Sequence, residues 1–313
     1  MTSGRWLDGS GQRSFTHRQD RRNPNSDGQI VSNWIDSLAP MLIESNLPRS
    51  WPRELVVDSV EFRINGGLKE SASFYVFVAV GYEDGYSSRP VIWKMQSFGS
   101  KTQRAWREFF GSLEGRPEIL VSDMDSAIRA AAKDIFQAPG TTATELRLCE
   151  WHLKQRLSAT LRILEGRQPV PEPLRLLDLA LTSPTAWKAF VDSVTQEDIF
   201  GTPLPNTLRW IKRYGGAVAQ QAQTRRNASV HSTAAAENVI RSLQSAFDGR
   251  SVVFGNRRRV NLVLGLMTLG LNGKASELEW AEQIRSYLSE RGGCAPEQGL
   301  YNDPPKMPSL FVP

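Results

Sequence analysis

From Trp51 onward apolar and polar residues fall into regular patterns, after a lead-in that shows little order. Glu54 to Ile64 and Ala72 to Gly81 are rich in β-branched and aromatic residues, with the turn signal Asn65-Gly66-Gly67 between them. Glu83-Asp84-Gly85 turns the chain again, into a third strand over Arg89 to Gln96. Short turns between three strands predict an antiparallel meander. Lys101 to Leu113 has helical spacing, with Trp106, Phe109, Phe110 and Leu113 on one side. Glu118 to Val121 is a short apolar strand, followed by a helix from Asp125 to Phe136, a fifth strand from Glu145 to Cys149 and a helix beginning at Trp151. Helical crossovers join parallel strands, so the expected class is α/β, a mixed five-stranded sheet flanked by helices.

Residues 165–226 carry no strand signal. Helical stretches around Leu174–Leu181, Trp187–Val194 and Leu208–Gln223, set among prolines, predict an all-α insertion. The core then has two parts, 49–164 and 227–275, the second holding a helix from Ser232 to Phe247. A basic turn with Arg250, Arg257, Arg258 and Arg259 is expected next, then an apolar helix from Val260 to Leu271. Residues 1–48 read as a polar, partly disordered lead-in with helical spacing only over Ile30 to Leu47. Residues 276–313 read as a C-terminal helix and a tail rich in Pro and Gly.

Composition narrows the function classes. Of 313 residues 40% are hydrophobic and 23% charged, ordinary for a globular chain. No apolar run approaches the roughly 18 residues of a membrane span, and Met1 to Asp20 holds no secretory apolar core. A cytoplasmic, reducing environment is therefore expected, nucleoid-associated if the source is bacterial. Cys149 and Cys294 cannot build a disulfide framework, and three histidines leave little for a zinc finger. The 38 basic and 33 acidic residues give +5, which suits a polyanionic partner without proving one.

Three carboxylates stand in unusual places. Asp58 shares a strand face with Val56, Val60 and Phe62, where an isolated charge costs several kcal/mol unless it is paired or binds a metal. A buried Asp satisfied by backbone donors is the competing account. Asp123 lies at the carboxyl end of the fourth strand, where open α/β sheets bind ligands. It could also be an ordinary helix N-cap, although Asp125 is better placed for that. Glu237 flanks the apolar stripe Ala236, Ile240, Leu243 and Phe247, with Arg241 one turn on as a surface partner. Together the three could hold two Mg²⁺ or Mn²⁺ ions, hard cations that take carboxylate oxygen and can serve phosphodiester displacement. Acids on a first strand, a neighbouring parallel strand and a late helix form the ribonuclease-H-like plan.

On these residues the chain resembles a DDE transposase of the Mutator-like family and its bacterial insertion-sequence relatives. Leu55-Val56-Val57-Asp58-Ser59 is similar to the first aspartate motif and Leu120-Val121-Ser122-Asp123 to the second. Cys149-Glu150-Trp151-His152 matches a C-x-x-H signature, and Thr233 to Glu237 with Arg241 resembles the T-x-x-x-E segment. Phe254-Gly255-Asn256 and its basic run also fit. The resemblance covers about residues 51–165 and 225–272. It implies a ribonuclease-H-like catalytic core with Asp58, Asp123 and Glu237 as metal ligands and catalytic acids. His152 would stand beside the reacting phosphate, with Cys149 in support. It implies Mg²⁺- or Mn²⁺-dependent cleavage of element ends and their transfer to target DNA, by a homodimer or higher assembly on double-stranded DNA. Only about 50 residues precede the first strand, and they lack the zinc ligands of an end-recognition domain.

Other accounts stay open. The C-x-x-H could be a capped strand-to-helix junction without chemistry. Arg209, Lys212, Arg213, Arg225, Arg226, Arg241, Arg250, Arg257, Arg258 and Arg259 are candidate DNA contacts, or a solvated basic surface. Trp187 and Trp210 could stack a flipped base, as an aromatic does in some related transposases, but core packing is favoured. A ribonuclease-H-like nuclease without strand transfer and a truncated or domesticated transposase that only binds DNA are the alternative functions.

Overall fold

Two long strands open the sheet, because alternating β-branched and aromatic residues present one apolar row to each face. The computed structural model describes residues 26–66, 70–82, 89–137, 143–163, 171–196, 205–247, 256–274 and 276–290. Strands β1 (Glu54–Gly66), β2 (Glu70–Tyr82) and β3 (Val91–Phe98) pair antiparallel in sequence. β4 (Ile119–Ser122) and β5 (Glu145–Leu148) are added in parallel beside β1, giving the order β3-β2-β1-β4-β5. This is the mixed five-stranded α/β sheet expected. The turn residues 67, 83, 84 and 85 lie outside the described residues.

Each sheet face has its own helical cover. Helices α2 (Gln103–Phe110) and α3 (Ser126–Phe136) pack on Leu55, Val57, Phe77 and Leu120. Aromatics dominate there: the Phe77 and Trp106 rings lie 3.8 Å apart and nearly parallel, within a cluster holding Trp51, Phe98, Phe109, Phe110 and Phe136. The opposite face, lined by Val56, Val60, Phe62, Val78 and Val80, is covered by α8 (Ala234–Phe247) and α9 (Arg257–Leu271). After β5 run α4 (Glu150–Ile163), α5 (Pro171–Ala180), α6 (Pro184–Gln196) and α7 (Pro205–Gln223). They share a separate core of Leu153, Leu157, Leu161, Phe190, Val218 and neighbours.

Amide side chains close both sheet edges. Asn272 exchanges hydrogen bonds of 2.9 and 2.8 Å with the backbone of Ile92 in β3. Gln221 does the same, at 2.9 Å each way, with Leu148 in β5. Each amide supplies the donor and acceptor that a further strand would have offered, so the edges do not present an open ladder there.

Two expectations change. The lead-in helix is longer than its spacing suggested: α1 (Ser26–Asn46) docks Ile35, Ala39 and Leu42 against Leu266 and Leu269 of α9, with Trp280 and Ile284 of α10 (Glu277–Glu290) alongside. Gly265 permits this approach, since a Cβ there would meet Ile43 Cδ1 at 2.4 Å. The basic turn is also partly helical: Arg257, Arg258 and Arg259 form the first turn of α9, because Asn256 caps it by accepting from the Arg259 N–H at 3.3 Å. Arg250 lies outside the described residues. Among the described residues no helix is long and apolar enough to cross a membrane.

Candidate active site

Register brings the two aspartates to one place. Val56 pairs with Val121 across β1 and β4, and Asp58 and Asp123 each lie two residues further on. Even spacing puts both on the face that α8 covers. Asp58 is half-buried there, and its Oδ1 accepts from the Ser59 N–H at 2.7 Å. Burial pushes its carboxyl up to about 6, against the Ser59 hydrogen bond and with the Asp123 charge adding to the rise.

Asp123 is not the helix cap. Asp125 caps α3 by accepting from the Ala127 N–H at 2.7 Å, while Asp123 Oδ1 accepts from the Asp125 N–H at 3.0 Å. That turn holds Asp123 at the strand end with its other oxygen 3.9 Å from Lys101 Nζ.

The C-x-x-H segment lies beside this edge. The Cys149 N–H donates to Ser122 O at 2.7 Å, so Cys149 follows β5 directly and His152 falls in the first turn of α4. Thr233, just before α8, joins the two segments. Its N–H donates to Cys149 Sγ at 3.3 Å, its hydroxyl donates to Glu237 Oε1 at 2.7 Å, and its oxygen lies 3.3 Å from His152 Nδ1. Glu237 Oε1 is in turn 4.0 Å from His152 Nε2. Glu237 therefore faces the C-x-x-H segment, and the surface pair with Arg241 does not form; Arg241 donates to Asn238 at 3.3 Å instead.

Electrostatics tie the group together. The Cys149 hydrogen bond, against burial and with the Cys149, Glu237 and Asp58 charges helping, holds the His152 imidazolium above its ordinary range. Burial raises the Cys149 thiol, but hydrogen bonds with His152 and Thr233 outweigh it and leave the thiol below its usual value. Among the described residues, however, no group of three or more His, Cys, Asp and Glu side chains stands close enough to hold a metal ion. Asp58 and Asp123 form one half of the site, and Glu237 with His152 the other.

A buried polar seam places the second half. Arg147, fully buried in β5, donates to the carbonyl and, at 3.0 Å, the hydroxyl of Thr224, and lies 2.9 Å from Glu145. Arg225 makes a two-pronged bond to Glu150 at 3.1 and 3.2 Å. Glu54, buried in β1, accepts from the N–H groups of Ser229 and Val230 at 3.1 to 3.3 Å. The chain returning from α7 is thereby pinned across β5 and β1 before α8 begins.

The basic candidates divide. Arg225 is held by Glu150. Arg257 bonds Ser97 O and Glu108, both at 2.9 Å, and Arg259 pairs with Asp36. Arg209, Lys212, Arg213, Arg226, Arg241 and Arg258 remain on the exposed surface. Trp187 and Trp210 are 5% and 7% exposed and pack in the core of α5–α7, which leaves neither face for a base. By contrast Trp151 is 48% exposed, with its ring 4.9 Å from that of His152. A cavity of about 420 Å³ lies elsewhere, lined by Ser45, Asn46, Lys274, Glu279, Glu282 and Gln283.

Lys101, expected at the start of a helix over Lys101 to Leu113, lies instead in the loop before α2 and reaches the aspartates from there. Thr233, expected only as a motif position, links Cys149, His152 and Glu237.

No protein-family model matches this chain, and no curated protein matches it. Among solved structures, a comparison reaches the crystal structure of NurA at 12% identity and a TM-score of 0.13, over 87% of this chain and 65% of that one. So low a score carries no argument about fold or function.

Proposed function

We propose that this protein is a DDE-type transposase catalytic domain, cleaving DNA and transferring the freed ends with the help of divalent cations. The observation that carries the reading is the approach of Asp58 in β1, two residues past its parallel pairing with β4, to Asp123 just after the end of β4, with Glu237 and His152 on the helices beside them. The donor set suits Mg²⁺ or Mn²⁺, which are bound through one or two carboxylates and keep several waters. Asp58 and Asp123 would hold such a cation, with Glu237 approaching from α8. When bound, it supplies a Lewis acid for the attacking and leaving oxygens of a phosphodiester.

The chain's own groups account for the rest. His152, favoured in its charged form, can donate a hydrogen bond to a non-bridging phosphate oxygen or a proton to the leaving oxygen. Glu237 and Cys149 orient its ring from two sides, and Thr233 anchors Glu237. The exposed basic residues on α7 (Arg209, Lys212 and Arg213) are available to phosphates of a bound duplex.

The test is to incubate the protein with duplex DNA carrying candidate element termini, with and without Mg²⁺ or Mn²⁺, and to resolve cut and joined species. Asp58→Ala, Asp123→Ala and Glu237→Ala should each abolish metal-dependent products while circular dichroism stays native. Full cleavage by Asp58→Ala would overturn the reading. Nicks without joined products would mark a nuclease, and salt-sensitive binding without products a DNA-binding relative.

A further inference from the structure

Lys101 stands in the loop between β3 and α2, with Nζ 3.0 Å from Asp125 and 3.9 Å from Asp123. Its side chain is 27% exposed, so the ammonium is partly withdrawn from water yet reachable from it. The acids it meets are fixed independently: the Ala127 N–H holds Asp125, and the Asp125 N–H holds Asp123. Lys101 reaches them from outside any helix or strand, beside the exposed Gly99 and Ser100 and just before the Thr102 cap of α2. Of the two sides of this ion pair, the lysine is the one that can move away without disturbing an element.

The charges that face Lys101 come from every neighbouring element. Asp58 contributes from β1, Asp123 from the end of β4 and Asp125 from the cap of α3. Burial opposes the ammonium, but these three acids outweigh it and hold it above its ordinary range. The His152 imidazolium also favours the ionised form of Asp58. The arrangement gives Asp123 a cation of the protein's own, where a divalent cation held by Asp58 and Asp123 would supply another.

We propose that Lys101 is a built-in counter-ion at this strand edge, neutralising Asp123 and the capping Asp125 in the metal-free protein and competing with a divalent cation for Asp123. The idea rests on the metal-site reading above. It also gives Lys101 a role different from that of a plain structural salt bridge. A structural bridge stabilises the loop and leaves metal affinity alone or weakens it when lost. A competing counter-ion, once removed, leaves the aspartates unneutralised and makes metal binding tighter.

The experiment is a Mn²⁺ titration of the full metal-free chain, read by calorimetry and by the electron paramagnetic resonance of free Mn²⁺. Wild type, Lys101→Met, Lys101→Gln, Lys101→Arg and Asp123→Asn are compared, with thermal melts of each to verify folding. Lys101→Met should bind Mn²⁺ roughly tenfold more tightly, Lys101→Gln should follow it, and Lys101→Arg should stay near wild type. Asp123→Asn should bind more weakly. Equal or weaker binding by both neutral variants would overturn the counter-ion role alone. Absence of Mn²⁺ binding by wild type and by both neutral variants would overturn the metal-site reading and this role with it.

Discussion

A lysine on an aromatic face shows how a single residue trades charge against burial in this protein. Lys94 sits on edge strand β3, opposite Ala79, with Nζ 5.8 Å from the Phe109 ring centroid and 2.5 Å from Ser112 Oγ. Burial pushes its pKa down to about 8, with only the Glu108 charge opposing. The folded form therefore binds fewer protons than the unfolded chain between about pH 8 and 10.4. Stability should rise with pH across that window, and the cost of the buried charge is fully present below pH 8. Lys94→Met should raise stability by about 1–3 kcal/mol at pH 7, with the gain shrinking toward zero above pH 10.5. Denaturant melts at pH 7 and pH 10.5 measure this; a gain of equal size at both values would refute the electrostatic cause.

Residues also differ in how far sequence betrays them. Asp58 was legible because strand alternation assigns its face from neighbours two positions away. Asp125 could be preferred to Asp123 as the cap because capping depends on the next three residues. Lys101 was not legible, since its partners arrive from strand ends distant in the chain.

At the scale of elements, the sheet requires close approaches that leave no room for a side chain. Gly81 near the end of β2 lies under the Trp93 ring and against Pro52, and a Cβ there would meet Trp93 Cε3 at 2.4 Å and Pro52 Cγ at 2.7 Å. Both are rigid groups, and Trp93 is further tied by its Nε1 hydrogen bond to Ser50 O at 2.7 Å. Gly81→Ala should cost about 1–3 kcal/mol, seen as a lower urea midpoint with an unchanged slope. A neutral result would mean that Trp93 can swing aside.

The elements themselves follow local rules, and sequence located most of them within a few residues. The strands announce themselves by β-branched alternation and the core helices by a stripe of Ile, Ala, Leu and Phe. The exceptions are instructive. Arg257 to Arg259 read as a turn because three cations seldom begin a helix, where the dipole favours acids. Glu108 and Asp36 offset them in space, and Asn256 supplies the cap. The lead-in concealed only the first turn of α1, before Ile30, where apolar residues are sparse; the rest of the helix docks on α9.

Over the whole molecule, charge is divided between work inside the fold and work available outside it. Arg147, Arg225, Arg257 and Arg259 are engaged with neighbouring groups of the chain. Arg209, Lys212 and Arg213 line exposed positions of α7 instead. If DNA is the partner, each phosphate they neutralise releases counterions, so affinity falls with salt. Replacing the three together by Gln should weaken duplex binding and reduce the slope of log affinity against log salt by about 2–3. Fluorescence anisotropy at several salt concentrations measures that slope; an unchanged one would exclude this face of α7 as a phosphate contact.

Element type, strand face and helix capping were set by the order of residues alone, because each depends on neighbours within a turn or two. That Asp58 and Asp123 converge was only an expectation of the ribonuclease-H-like plan; the parallel pairing of β4 beside β1 is what brings them to one sheet edge. Tertiary structure decided which partners those acids meet. It set Lys101 against Asp123 and Asp125, turned Glu237 toward His152 and away from Arg241, and withdrew Trp187 and Trp210 into a core. The physical reason is that electrostatic and packing partners are selected by distance in space, and the crossovers and the helical insertion separate that distance from distance along the chain.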